Sequence, residues 1–128
     1  MTDREHVERW LVEYIEAWRS NDRERIAALF TDDVSYRYYP HTDPVVGARA
    51  VADAWLKDRD DPDGWTATYE PVAVDGAVAV ATGESVYTDP DGSVREAYDN
   101  CFVIHFDDDG LCSEFTEYYV KRPTNADA

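Results

Sequence analysis

Two glutamates in the C-terminal half, Glu84 and Glu117, lie in segments that otherwise read as aromatic and aliphatic β-strand. Taking a lone carboxylate out of water costs several kcal/mol and raises its pKa. A glutamate tuned in this way can act as a general acid or base near neutral pH. Asn100 and Tyr98 stand on the segment between them and could bond to Glu117 and Glu84 respectively. Such local pairing would give the same carboxylates a purely structural role, and the residues fit both readings.

Whether these side chains meet depends on strand register, which the turns set. The chain from Trp65 reads as four strands in a meander. Asp75-Gly76 is a two-residue hairpin signal that pairs Val74 with Ala77, and so Trp65 with Val86. Pro90-Asp91-Gly92 suits a three-residue turn, pairing Asp89 with Ser93, Glu84 with Tyr98 and Thr82 with Asn100. Asp107–Gly110 pairs Phe106 with Leu111, Asn100 with Glu117 and Phe102 with Phe115. One face then collects Trp65, Tyr69, Val78, Val80, Val86, Phe102, Ile104, Phe115 and Tyr119, with Thr82, Glu84, Tyr98, Asn100 and Glu117 among them. The opposite face of the second strand carries Ala77, Ala79, Ala81, Gly83 and Ser85, a small-residue surface suited to an interface. A slip of one residue would turn both carboxylates to solvent.

Helices must cover the apolar face. Thr2-Asp3-Arg4-Glu5 has capping-box spacing with Thr2 at the cap. Val7, Trp10, Leu11, Tyr14, Ile15 and Trp18 then form one stripe of an amphipathic helix. Asp22 caps a short second helix bearing Ile26, Leu29 and Phe30. Val34–Tyr39 is β-branched and aromatic, which predicts a strand with Tyr36 and Tyr38 on one side. A loop of Pro40-His41-Thr42-Asp43-Pro44 follows, and Gly47 precedes a third helix with Val51, Ala54 and Trp55 on one side. The order is helix, helix, strand, helix and meander, an α+β pattern.

The 128 residues are 44% hydrophobic and 31% charged, which is the composition of one globular domain. Residues 1–122 are read as that domain and 123–128 as a frayed tail. Net charge is −16, from 28 acidic and 12 basic residues. That field repels phosphate backbones and anionic lipid, so neither nucleic acid nor membrane is an expected partner. No apolar run approaches the roughly 18 residues of a membrane span, and no charged-then-apolar leader precedes the first helix; a cytoplasmic protein is expected. The two cysteines, Cys101 and Cys112, fall on the outer face about 13 Å apart, too far for a disulfide. The three histidines lack ligand spacing, and the acidic turns do not match a calcium loop, so no metal or cofactor is implied.

The chain resembles the SnoaL-like group of the nuclear transport factor 2-like superfamily from about Val7 to Lys121. The carriers are Trp10-Leu11-Val12-Glu13-Tyr14, Ile26–Val34, the loop to Val46-Gly47-Ala48-Arg49-Ala50-Val51, Asp109-Gly110-Leu111-Cys112, and Phe115-Thr116-Glu117-Tyr118-Tyr119. The resemblance implies a cone-shaped, curved mixed sheet closed by three helices of the N-terminal half, a cystatin-like α+β barrel. It also implies an internal apolar pocket and a homodimer formed through the sheet. Tyr14 matches the oxyanion-donating tyrosine of ketosteroid isomerases, whose two further acids are replaced here by Tyr38-Tyr39 and Phe102. Limonene epoxide hydrolase-like members use two carboxylates, an arginine, a tyrosine and an asparagine. Glu117, Glu84 and Tyr36 fall on three of those positions, with Thr82 at the arginine and Tyr38 at the asparagine. Polyketide cyclase-like members need one carboxylate base in an aromatic pocket.

The expected protein binds a small apolar or aromatic molecule and moves a proton on it without a cofactor. Glu117 is the expected general base, Tyr14 or Tyr36 the hydrogen-bond donor and Glu84 an auxiliary acid. The expected pocket lining is Trp10, Tyr38, His41, Trp55, Tyr98, Asn100, Phe102, Phe115 and Tyr119. The alternative is a non-catalytic ligand-binding or dimerisation module of the same fold.

Overall fold

A computed structural model describes residues 2–123. The tail read at 123–128 therefore lies, apart from Pro123, outside the described residues. Helix α1 spans Arg4–Ser20 and buries Val7, Trp10, Leu11, Tyr14 and Ala17, one stripe at three- and four-residue spacing. Its cap is Asp3 rather than Thr2: the Asp3 carboxylate accepts from the His6 N–H at 2.8 Å. It ends at Asn21, in the left-handed region at φ 52°. Asp22 then caps α2 (Arg23–Ala27), accepting from the N–H groups of Glu24 and Arg25. Leu29 and Phe30 are buried, but Phe30 already opens β1 (Phe30–Arg37), four residues earlier than expected. A two-residue strand β2 (Val45–Val46), unforeseen from sequence, pairs with β1 before α3 (Ala48–Lys57). The meander follows as β3 (Trp65–Asp75), β4 (Val78–Thr88), β5 (Val94–Phe106) and β6 (Cys112–Lys121).

The six strands form one sheet in the order β2-β1-β6-β5-β4-β3. β1 runs parallel to β6 and every other pair is antiparallel, so the sheet is mixed. The helices pack on one face, over a core that includes Leu11, Tyr36, Val51, Phe102, Ile104 and Phe115. This is the expected α+β architecture. No helix of the described residues is long and apolar enough to cross a membrane.

Three bulges in the meander decide which of its side chains face the core. The first turn is shifted by one residue, so Asp75 opposes Val78, and Val72 is an extra residue in β3. Trp65 therefore opposes Tyr87 rather than Val86. Asp89 and Ser93 do close the next turn, but Arg95 bulges out of β5 immediately afterwards. Asn100 therefore opposes Gly83, and Glu84 opposes Asp99. Both offsets are odd, so β4 alone is turned over relative to expectation. Ala79, Ala81 and Ser85 are buried, and the small-residue surface proposed as an interface is part of the interior. Val78, Val80, Thr82, Glu84 and Val86 lie on the outer face instead.

The β5–β6 pair differs by two residues. Asn100 opposes Tyr119 and Phe102 opposes Glu117. An even offset preserves the face, so Phe102, Ile104, Phe115, Glu117 and Tyr119 point inward as expected. The third bulge, at Ser113, carries Cys112 into the core, where it is fully buried against the start of β1. Cys101 keeps its outward position, and both cysteines are free.

Candidate functional site

A cavity of about 620 Å³ opens between α1, α3 and the concave face of the sheet. Helix α1 supplies Tyr14 and Trp18 to its wall, and α3 supplies Ala54, Trp55 and Lys57. The sheet supplies Tyr36, Ser85, Tyr87, Asn100, Glu117 and Tyr119, with Tyr38 just beyond the end of β1. Beneath this wall the rings are close-packed. Tyr36 stacks on Phe115 with centroids 4.5 Å apart, and Phe102 lies 4.8 Å from Phe115 and 4.6 Å from Tyr69. Tyr69 can cross β4 here because Gly83 has no side chain. A Cβ at Gly83 would stand 1.9 Å from the Thr68 carbonyl oxygen and 2.6 Å from Cδ1 of Tyr69.

Glu117 stands on this aromatic surface. Burial raises its carboxyl from the ordinary 4.5 to about 7, and the Asn100 amide partly offsets the rise. Asn100 donates from Nδ2 to Glu117 Oε2 at 2.9 Å, and its own Oδ1 accepts from Ser85 Oγ at 3.1 Å. The three residues form a diagonal row across β4, β5 and β6. Glu117 Oε1 takes no protein hydrogen bond among the described residues, which leaves one carboxylate oxygen available to the cavity. The hydroxyls of Tyr14 and Tyr36 are bonded to each other at 3.0 Å. Burial pushes both phenols well above their usual range, so both are neutral donors at physiological pH. Tyr38 is pushed up to about 12 for the same reason.

Of the expected catalytic set, Glu117, Tyr14 and Tyr36 line one cavity and Glu84 does not. Glu84 lies on the outer face, 2.7 Å from Arg122. The bulge at Arg95 caused that misplacement. Tyr98, its expected partner, donates to Glu96 instead. Of the expected lining, Tyr38, Trp55, Tyr98, Asn100 and Tyr119 are in the wall. Phe102 and Phe115 are fully buried under it. Trp10 is buried one turn of α1 before Tyr14 and does not line the cavity, donating to the Leu29 carbonyl at 3.1 Å. His41 is exposed in its loop beside Tyr39. Ser85, Tyr87 and Trp18 were not foreseen. Ser85 and Tyr87 were lost with the face of β4, and Trp18, expected only on the apolar stripe of α1, stacks on Trp65 at 3.6 Å at the cavity wall.

The sequence profile of the SnoaL-like domain matches residues 11–115. The chain belongs to the SnoaL-like family. Solved structures agree on the fold. One is a protein of unknown function with a cystatin-like fold from Methylobium petroleophilum, with TM-score 0.69 and 18% identity, covering 96% of this chain and 81% of that one. A second is a candidate ketosteroid isomerase from Kribbella flavida, with TM-score 0.70, 21% identity and coverages of 97% and 84%. A third is an LEH-like epoxide hydrolase from M. tuberculosis, with TM-score 0.68, 16% identity and coverages of 93% and 86%. No curated protein sequence matches the chain. Solved structures of the same fold thus carry isomerase and hydrolase names, and the residues of the site must decide between chemistries.

Proposed function

We propose that this SnoaL-like protein binds a small apolar or aromatic molecule in the cavity and transfers a proton on it, with Glu117 as the base. The observation that carries the reading is the Glu117 carboxylate on an aromatic surface, with one oxygen held by Asn100 and the other open. A carboxyl of pKa about 7 is half ionised at neutral pH, where it can both take and return a proton. The Tyr14–Tyr36 pair is a neutral donor that can stabilise negative charge developing on the ligand. With Glu84 outside the cavity, the Glu84–Glu117 pair implied by the resemblance to limonene epoxide hydrolase-like members is not formed; Asp58, Asp60 and Glu96 also line the cavity, but none is bonded to Glu117, and Asp60 and Glu96 accept from Trp18 and Tyr98. Isomerisation or cyclisation through one carboxylate is therefore the favoured reaction class.

A second reading is a binding module without turnover. It is favoured by the mutual satisfaction of Ser85, Asn100 and Glu117 and of Tyr14 and Tyr36. Thermal-shift screening of wild type and Glu117→Gln against enolisable ketones, aromatic polyketides, steroids and epoxides separates the two. Proton-transfer turnover in wild type, with stabilisation by the same class in both proteins, supports the enzyme. Stabilisation of both without turnover supports the module, and no stabilisation by any class overturns the pocket reading.

The outer face of the sheet supports a homodimer. Val78, Val80, Val86, Val94, Val103, Tyr118 and Val120 share it, with Val94, Tyr118 and Val120 exposed. Sedimentation should give a dimer at micromolar concentration, and a clean monomer would remove the proposal.

A further inference from the structure

Asn100 is the only hydrogen-bond partner of Glu117 among the described residues, and an amide can present either of its two ends. Its NH₂ end supports an ionised carboxylate, while its carbonyl end opposes one. Asn100 is buried, so solvent does not choose the orientation. The ionised Glu117, which only accepts, favours the NH₂ end, and the carbonyl end is left to a partner on β4. There Ser85 Oγ, on a residue only 3% exposed, lies 3.1 Å from Asn100 Oδ1. A hydroxyl can donate or accept, so Ser85 satisfies the amide in either orientation; donating to Oδ1, it polarises the amide and strengthens the bond of the NH₂ group to Glu117. A flipped amide would instead set its NH₂ toward Ser85 and its carbonyl oxygen against Glu117 Oε2.

We infer that Ser85 is a positioning residue, a latch that donates to the Asn100 carbonyl and so strengthens the bond of the Asn100 NH₂ group to Glu117, lowering the proton affinity of the base. The inference rests on the reading of Glu117 as the base of the cavity. The other titratable groups facing Glu117 are phenols on every neighbouring element: Tyr14 on α1, Tyr36 on β1 and Tyr38 beyond its end, Tyr69 on β3, Tyr87 on β4 and Tyr119 on β6. All are held neutral by burial. The ionic groups of the cavity, Lys57, Asp58, Asp60, Arg95 and Glu96, make no ion pair with Glu117. No cation therefore shares the task, and the Ser85–Asn100 pair is the one polar device acting on the carboxylate among the described residues.

The test is carbon-detected NMR titration of the Glu117 side-chain carboxyl in wild type, Ser85→Ala, Ser85→Thr, Asn100→Ala and the Ser85→Ala/Asn100→Ala double variant. Removing the latch should raise the Glu117 midpoint by about 0.3 pH unit, a twofold gain in proton affinity, and Asn100→Ala should raise it further. Ser85→Thr keeps the hydroxyl and should restore the wild-type midpoint. In the Asn100→Ala background, adding Ser85→Ala should change nothing, because the latch acts only through Asn100. An unchanged or lowered midpoint in Ser85→Ala overturns the latch, as does an equal effect of Ser85→Ala without Asn100. A wild-type midpoint near 4.5 would overturn the reading of Glu117 itself, so the two failures are distinct.

Discussion

Replacing Glu117 by Gln should stabilise the protein, and by an amount that depends on pH. The carboxyl titrates at about 7 in the folded chain against 4.5 for an ordinary glutamate. A carboxyl whose folded pKa is raised carries no penalty below about pH 4.5, where it is protonated in both states. Between 4.5 and 7 the unfolded chain releases its proton first, and wild type progressively loses stability. Above 7 the full difference applies, about 3 kcal/mol at 1.36 kcal/mol per pH unit. Glu117 is half-buried rather than sealed from solvent, so about half of that is expected as the lower bound. Gln keeps an oxygen for the Asn100 amide and leaves the ring packing untouched. For a chain of this length 1 kcal/mol corresponds to about 4 °C. Glu117→Gln should therefore melt about 6–12 °C above wild type at pH 8, and with it at pH 4.5. Calorimetric melts across that range decide the matter. A difference that does not grow with pH, or a wild type more stable at pH 8, would refute the desolvation account.

Gly83→Ala should destabilise by about 1–3 kcal/mol or more, since its Cβ would overlap the Thr68 carbonyl and the Tyr69 ring; denaturant unfolding measures it. Tyr14→Phe should cost about 1–3 kcal/mol by stranding the Tyr36 hydroxyl, and Tyr14→Phe/Tyr36→Phe should cost less than the sum of the singles; a double-mutant cycle reads this directly. Arg122→Ala and Glu84→Gln should leave ligand-induced thermal shifts unchanged, because their pair lies on the outer face; a lost shift would return Glu84 to the site. Cys112 should resist alkylation under native conditions, since burial raises its thiol well above the usual range, whereas Cys101 should react first; mass spectrometry after brief labelling distinguishes them.

The sequence carried the helices and the inward faces of β3, β5 and β6, because those rest on periodicity and on apolar side chains that repeat over many residues. The stripe of α1 and the inward Glu117 are examples. It did not carry β4. Alternating Val and Ala leave that strand with valines on one face and small residues on the other, and hydrophobicity alone favours turning the valines inward. The structure does the reverse, because the large rings of Tyr69, Phe102 and Phe115 already fill the interior. The bulges at Val72 and Arg95 have no local signature of the kind that Gly92 gives the neighbouring turn. Each flips a face without changing composition. The cost fell on the site: Ser85 was hidden and Glu84 was misassigned, while Glu117 survived because its strand slipped by two residues.

The central claim is that Glu117 is a cavity carboxylate able to give and take a proton at neutral pH. The most direct measurement is the titration of its side-chain carboxyl carbon in the intact wild-type protein, assigned by its absence from Glu117→Gln. A midpoint near 7 that moves when a cavity ligand is added is the predicted result. A midpoint near 4.5, unmoved by any ligand, would show a solvated surface glutamate and contradict the account.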